Sequence, residues 1–153
     1  MEAIVKSREE LAEAARALLA CLAKPHGGAT LVTLSGELGV GKTALVQEIA
    51  RALGVEDTVT SPTFVLEKIY SLDSARDENA LAFSHLVHID GYRLTSGADL
   101  RPLGFDELMK DPGNLVVLEW PERVADALPP AALPVSLTLL PDGSRHIIYD
   151  PAL

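Results

Sequence analysis

The segment Gly36-Glu37-Leu38-Gly39-Val40-Gly41-Lys42-Thr43 satisfies G-x-x-x-x-G-K-[ST], and its flanks restrict the fold more than any other stretch. Before it, Ala29 to Leu34 is an apolar run that reads as a buried strand. After it, Ala44 to Leu53 has helical spacing and stops at Gly54. Strand, glycine loop and helix together make a phosphate-binding unit. Consecutive backbone N–H groups turn inward toward a polyphosphate, and the helix N-terminus adds partial positive charge. Lys42 would reach the β- and γ-phosphates, and the Thr43 hydroxyl would ligate Mg²⁺. Four fixed positions match by accident in on the order of one chain in a hundred of this length. The chain therefore reads as a nucleotide-binding protein.

The 153 residues read as one α/β domain, 1–153, of the P-loop NTPase class, with a mixed parallel and antiparallel central sheet flanked by helices. A net charge of −9 argues against a broad basic surface for gripping nucleic acid, and no Lys/Arg cluster appears. Cys21 is the only cysteine, which excludes an intrachain disulfide; its apolar helical setting reads as a buried structural thiol. No apolar run approaches membrane-spanning length, and the first residues alternate in charge, so a cytoplasmic protein is expected.

Ser7-Arg8-Glu9-Glu10 has capping-box spacing and predicts a helix to about Leu22, with Leu11, Ala14, Ala15, Leu18, Leu19 and Leu22 as its buried stripe. His26, in the turn that follows, reads as exposed and idle. Phe64 to Tyr70 and Phe83 to Ile89 predict strands around an exposed loop, Ser71 to Ala80. Ser61-Pro62-Thr63-Phe64 reads, on spacing alone, as a strand-entry turn; a hydroxyl approaching the γ-phosphate is the alternative. Asp90, at a strand end, could bind Mg²⁺ or cap the next turn. His88 reads as a packed histidine rather than a general base. Leu94 to Arg101 predicts a loop or short helix, and Leu103 to Met109 a short helix.

Asn114-Leu115-Val116-Val117-Leu118-Glu119 has the form of a Walker B strand, whose terminal acid emerges beside the phosphate-loop magnesium. Glu119 could hold the metal's hydration shell or orient the attacking water. Trp120 alone would be taken as core. Pro121 to Leu128 predicts a helix with proline in its first turn. Val135 to Leu140 and Arg145 to Tyr149 predict a terminal hairpin.

Gly36 to Thr43, Ser61-Pro62-Thr63-Phe64, His88-Ile89-Asp90-Gly91-Tyr92-Arg93 and Leu118-Glu119-Trp120-Pro121-Glu122 occur in this order. Together they resemble the TsaE (YjeE) family of small bacterial P-loop ATPases, over about Leu31 to Val124. The resemblance implies a part in making N6-threonylcarbamoyladenosine at position 37 of tRNAs that read codons beginning with A. TsaD, paired with TsaB, would perform the transfer; the TsaE-like subunit would bind and hydrolyse ATP, join that assembly and support repeated turnover. Contact with tRNA would be indirect, which agrees with the acidic charge. ATP rather than GTP also rests on the resemblance.

Carried over by position, Glu37, Leu38, Gly39, Val40, Gly41, Lys42, Thr43 and Ala44 would surround the nucleotide phosphates. Lys42, Asp90, Glu119 and Thr63 would be the catalytic set, with Thr63 in the switch-like position near the γ-phosphate. Thr43, Glu119 and Asp90 would serve Mg²⁺, and Trp120 would lie near the nucleotide or a partner surface. Gly91 departs from the pattern, since the family often has a larger apolar residue there. Two rivals differ in class. A small P-loop kinase would need an acceptor pocket and lid arginines, whereas the arginines here are scattered in sequence. A binding module with vestigial hydrolysis would not need Lys42, Thr43, Asp90 and Glu119 together.

Overall fold

The structure is a computed structural model and describes residues 1–23, 27–55, 66–73 and 83–151. The switch-like Ser61-Pro62-Thr63-Phe64, His26 and most of the predicted exposed loop lie outside the described residues. In chain order the elements are β1 (Glu2–Val5), α1 (Arg8–Ala20), β2 (Thr30–Ser35), α2 (Lys42–Ala52), β3 (Glu67–Ser71) and β4 (His85–Asp90). A 3₁₀ segment (Gly97–Leu103), α3 (Phe105–Leu108), β5 (Asn114–Glu119), β6 (Leu133–Leu139) and β7 (Arg145–Tyr149) follow.

The strands form one sheet in the order β1-β7-β6-β2-β5-β4-β3. Its centre, β6-β2-β5-β4, is parallel, and β7, β1 and β3 add antiparallel edges. The mixed α/β sheet expected from the sequence is what the chain builds. The parallel centre matters for function, because parallel strands deliver their C-terminal ends to one edge. Ser35, Asp90 and Glu119 all end strands there.

Alternation along each central strand feeds two cores. Val32, Leu34, Leu86, Leu115 and Val117 face α1 and α2 in the larger one. Leu31, Val87, Ile89, Val116 and Leu118 face the opposite way, against the 3₁₀ segment, α3 and Val124. Every residue of β5 is buried. Burying four side chains, Leu115 to Leu118, is worth about 6–12 kcal/mol as an upper bound. Holding the Glu119 carboxylate out of water costs several kcal/mol. The strand can carry that cost.

Ser7 caps α1, its side chain accepting from Glu10 N (3.1 Å), and the predicted buried stripe is buried throughout. The reciprocal half of the capping box differs: the Glu10 carboxylate takes the amide of Lys6, not of Ser7. Cys21 is only half-buried, because it falls at the helix C-cap, where its Sγ lies 3.5 Å from Met1 Sδ. β1 had no sequence signal; four residues on an edge cannot show a period.

The predicted helix from Pro121 to Leu128 is instead two 3₁₀ turns, Pro121–Arg123 and Ala125–Ala127. Val124 breaks between them with φ −131°, which sends its side chain fully into the second core. The Asp126 carboxylate then accepts the amide of Gly97 (2.7 Å). A continuous helix would forfeit both anchors.

Candidate functional site

The phosphate loop leaves β2 at Gly36, whose φ of +148° favours glycine. A Cβ here would lie 2.6 Å from the Leu137 carbonyl and 2.9 Å from Val40 Cγ1, so no side chain fits. Gly41 N-caps α2, and Lys42 and Thr43 open that helix. Behind the loop, Arg145 Nε donates to the Val40 carbonyl (2.9 Å). That clamp from the last strand was not legible in the sequence.

Lys42 is buried at 4 % exposure. Its ammonium donates to the carbonyls of Gly36 and Glu37 (3.0 Å to the latter) and lies 4.0 Å from the Trp120 ring centroid. Burial holds its pKa below the usual 10.5, against the opposing pull of Glu119, Glu122 and Asp90. Thr43 Oγ1 lies 3.3 and 3.2 Å from the two Glu119 oxygens. Glu119 is 3 % exposed, and its Oε2 is 2.6 Å from His88 Nε2. Asp90 stands beside Glu119 in register, and its Oδ1 accepts the amide of Tyr92 (3.0 Å). Capping the turn and lining the site are thus compatible roles.

Trp120 is the only non-glycine residue with positive φ among the described residues (φ 61°, ψ 53°). That backbone costs on the order of 1–3 kcal/mol, and such outliers cluster where geometry serves a site. Here it places the indole over Lys42 and 5.0 Å from the Tyr92 ring. Arg123 lies 5.5 and 5.7 Å from the Tyr92 and Trp120 rings. Arginines scattered in sequence are therefore less scattered in space: Arg93 also lines the cleft. The aromatic–cation rim was missed because its members come from two separate strand ends.

Gly91 has a larger role than the motif suggested. Its amide donates to the Glu119 carbonyl (2.9 Å), and a Cβ would stand 2.9 Å from that oxygen and 3.1 Å from the Trp120 carbonyl. A larger residue requires the Glu119–Trp120 backbone to stand farther off. Gly91→Ala is expected to cost about 1–3 kcal/mol of stability by overpacking, read by urea denaturation. An unchanged midpoint would mean that this backbone yields freely.

Together these residues line a cleft of about 360 Å³ that includes Leu38, Gly39, Gly41, Lys42, Thr43, Ala44, Asp90, Glu119 and Trp120. Leu38, at the tip of the loop, is 72 % exposed. Its donors suit a small hard cation. A hydroxyl and two carboxylates supply oxygen ligands, and no group of three or more metal-ligating side chains forms a closed cage among the described residues. Mg²⁺ fits such a set, since it keeps several waters and takes its other oxygens from phosphates. Of the expected site residues, the fold gathers all but Thr63 around the loop and its cleft; Thr63 lies outside the described residues.

The family model described as "Threonylcarbamoyl adenosine biosynthesis protein TsaE" matches residues 5–147. The chain belongs to the TsaE family. A Rickettsia bellii relative named tRNA threonylcarbamoyladenosine biosynthesis protein TsaE is 36 % identical over 145 residues, covering 94 % of this chain and 90 % of that one. One of the same name from Treponema pallidum is 39 % identical over 118 residues, covering 77 % and 79 %. The crystal structure of Bacillus subtilis YdiB superposes with a TM-score of 0.72 at 26 % identity, over 99 % of this chain and 84 % of that chain. The family match extends beyond Leu31–Val124 into α1 and the terminal hairpin, where no TsaE motif was read in the sequence.

Proposed function

We propose that this protein is the ATP-binding and ATP-hydrolysing subunit of tRNA threonylcarbamoyladenosine formation. It works as one 153-residue domain in the cytoplasm with TsaB and TsaD, supports their repeated turnover, and meets tRNA only through that assembly. The observation that carries this reading is the contact of the Thr43 hydroxyl with the Glu119 carboxylate beside a buried Lys42. That arrangement supports a charge clamp and an acid acting together on one polyphosphate. No described helix is long and apolar enough to cross a membrane.

In this reading, backbone N–H groups from Glu37 to Ala44 hold the phosphates, and Lys42 shifts from its own loop's carbonyls onto the β- and γ-oxygens. Thr43, Glu119 and Asp90 would hold Mg²⁺, and the ion when bound would supply neutralising charge for the leaving ADP. Glu119 orients water toward the γ-phosphorus. The new bond is from that water's oxygen to phosphorus, the bond from the β,γ-bridging oxygen to the γ-phosphorus breaks, and ADP leaves; of the water's two protons, one stays on the inorganic phosphate and one is released to solvent. Thr63 remains the candidate for the γ-phosphate side, on motif position. The kinase alternative draws on Arg93, which lines the cleft, and Arg123, beside the Tyr92 and Trp120 rings, yet an acceptor would have to share the space with nucleotide.

The test is multiple-turnover tRNA modification with TsaB and TsaD, with and without this protein, alongside ATP hydrolysis. Repeated modification that needs the wild-type chain and is lost with Lys42→Ala supports the reading. Modification indifferent to the protein removes it and favours a screen of phosphoryl acceptors.

Lys42 also sets a pH dependence. The charged form binds phosphate, burial lowers its pKa below 10.5, and bound phosphates would raise it again. Binding therefore takes up a proton between those two values. ADP affinity is expected to be level at neutral pH and to fall by about tenfold per pH unit above the lowered value. Calorimetric titration across alkaline pH checks this; affinity flat up to pH 10.5 would contradict it.

A further inference from the structure

We propose that His88 is a positioning residue for Glu119, fixing which carboxylate oxygen is left for the reaction. The proposal rests on the reading of Glu119 as the acid of ATP hydrolysis. β4 and β5 run parallel, with His88 opposite Val117 and Asp90 opposite Glu119. Alternation puts His88, Asp90, Val117 and Glu119 on the face that carries α2. The imidazole therefore sits one pair deeper than Glu119 and reaches forward to it.

Three observations give this contact direction. First, Thr43 Oγ1 is almost equidistant from the two Glu119 oxygens, at 3.2 and 3.3 Å, so it selects neither. The imidazole engages Oε2 alone, at 2.6 Å, and leaves Oε1 as the oxygen it does not touch. Second, His88 is 0 % and Glu119 3 % exposed, so solvent cannot substitute for the bond. Third, His88 Nδ1 is buried with no hydrogen-bond partner among the described residues. A side chain kept only for packing gains nothing from an orphaned nitrogen. With Glu119 as a carboxylate, which only accepts, the shared proton lies on Nε2, and Glu119 is the ring's one hydrogen-bond partner among the described residues.

Ligand-orienting partners of this kind typically change activity or metal affinity by about 10–100-fold when removed. The experiment uses the full chain with His88→Asn, whose amide occupies the Nδ1 position, and His88→Gln, whose amide reaches the Nε2 position. His88→Asn is expected to lower kcat for ATP by about 10–100-fold, with ADP affinity in chelator unchanged, while His88→Gln recovers most of the rate. Equal losses in both variants, or a loss confined to ADP affinity, would overturn the proposal.

Nitrogen-15 NMR of the wild-type imidazole gives a readout independent of turnover. A protonated Nε2 whose resonance moves in Glu119→Ala supports the assignment; an unprotonated Nε2, or one indifferent to Glu119→Ala, overturns it. If wild-type protein hydrolyses no ATP, alone or with TsaB and TsaD, the hydrolysis reading fails and the NMR result alone decides on His88. Should His88→Asn fail to fold, by circular dichroism, the wild-type spectrum and His88→Gln carry the test.

Discussion

Lys42→Ala is expected to abolish measurable ADP binding at micromolar concentrations and to lower ATP turnover by on the order of 10²–10³-fold, the usual effect of removing one group that clamps developing charge. The surroundings of Lys42 show why so much depends on one side chain. The Lys42 ammonium is out of water, bonded to the carbonyls of Gly36 and Glu37 and stacked under Trp120. Burial works against its charge, and the carboxylates of Glu119, Glu122 and Asp90 only partly offset that. A polyphosphate supplies the missing counter-charge, so the lysine is better placed with nucleotide than without it. Alanine removes that drive and leaves two loop carbonyls without their donor. The variant should fold, because the loop keeps Gly36, Gly41 and the clamp from Arg145. Calorimetry with ADP and a phosphate-release assay read the two effects separately. ADP affinity within about threefold of wild type, roughly 0.7 kcal/mol, would show that backbone amides and the helix terminus hold the phosphates unaided.

What the sequence disclosed follows the range of the forces involved. The phosphate loop, β5 and the α1 stripe rest on local spacing, and each appeared where periodicity or motif placed it. β1 was invisible because its stability comes from pairing with β7, at least 140 residues away in sequence, and not from its own four residues. The segment after Trp120 was misread because proline and apolar spacing favoured a helix, while two long-range anchors, Val124 in the core and Asp126 on Gly97, favoured 3₁₀ turns. The site divides in the same way. Lys42, Thr43, Asp90 and Glu119 were nameable as candidates because phosphate and metal chemistry calls for such residue types at strand and helix ends. His88 reads from sequence as packing; its position two residues before Asp90 places both on one face, but only the register with β5 brings it to Glu119. Arg123 and Tyr92 met at Trp120 through a backbone twist that no residue pattern announces.

Glu119→Gln is expected to lower ATP turnover by about 10²–10⁴-fold, in the range for loss of a group that activates a nucleophile, while ADP affinity in chelator stays within a few-fold of wild type. The two halves of that expectation have different causes. Glutamine keeps the size of the side chain in a strand end that is fully buried, so the cleft walls and the phosphate loop remain in place. What changes is charge and hydrogen-bond polarity. Glu119 accepts from the Thr43 hydroxyl and faces His88 Nε2, and a carboxylate can accept from both with either oxygen. An amide has one accepting oxygen. With that oxygen toward Nε2, its NH₂ faces Thr43, whose hydroxyl can rotate to accept. With the NH₂ toward Nε2, the imidazole must shift its proton to Nδ1, which is buried without a partner among the described residues. The first arrangement costs less, because an unmet buried donor costs about 1–3 kcal/mol. Stability should therefore change little, and the loss should appear in kcat. Single-turnover hydrolysis compared with ADP titration separates the steps: a normal rate would take Glu119 out of the catalytic set, and a matched loss of affinity and rate would make it a binding residue instead.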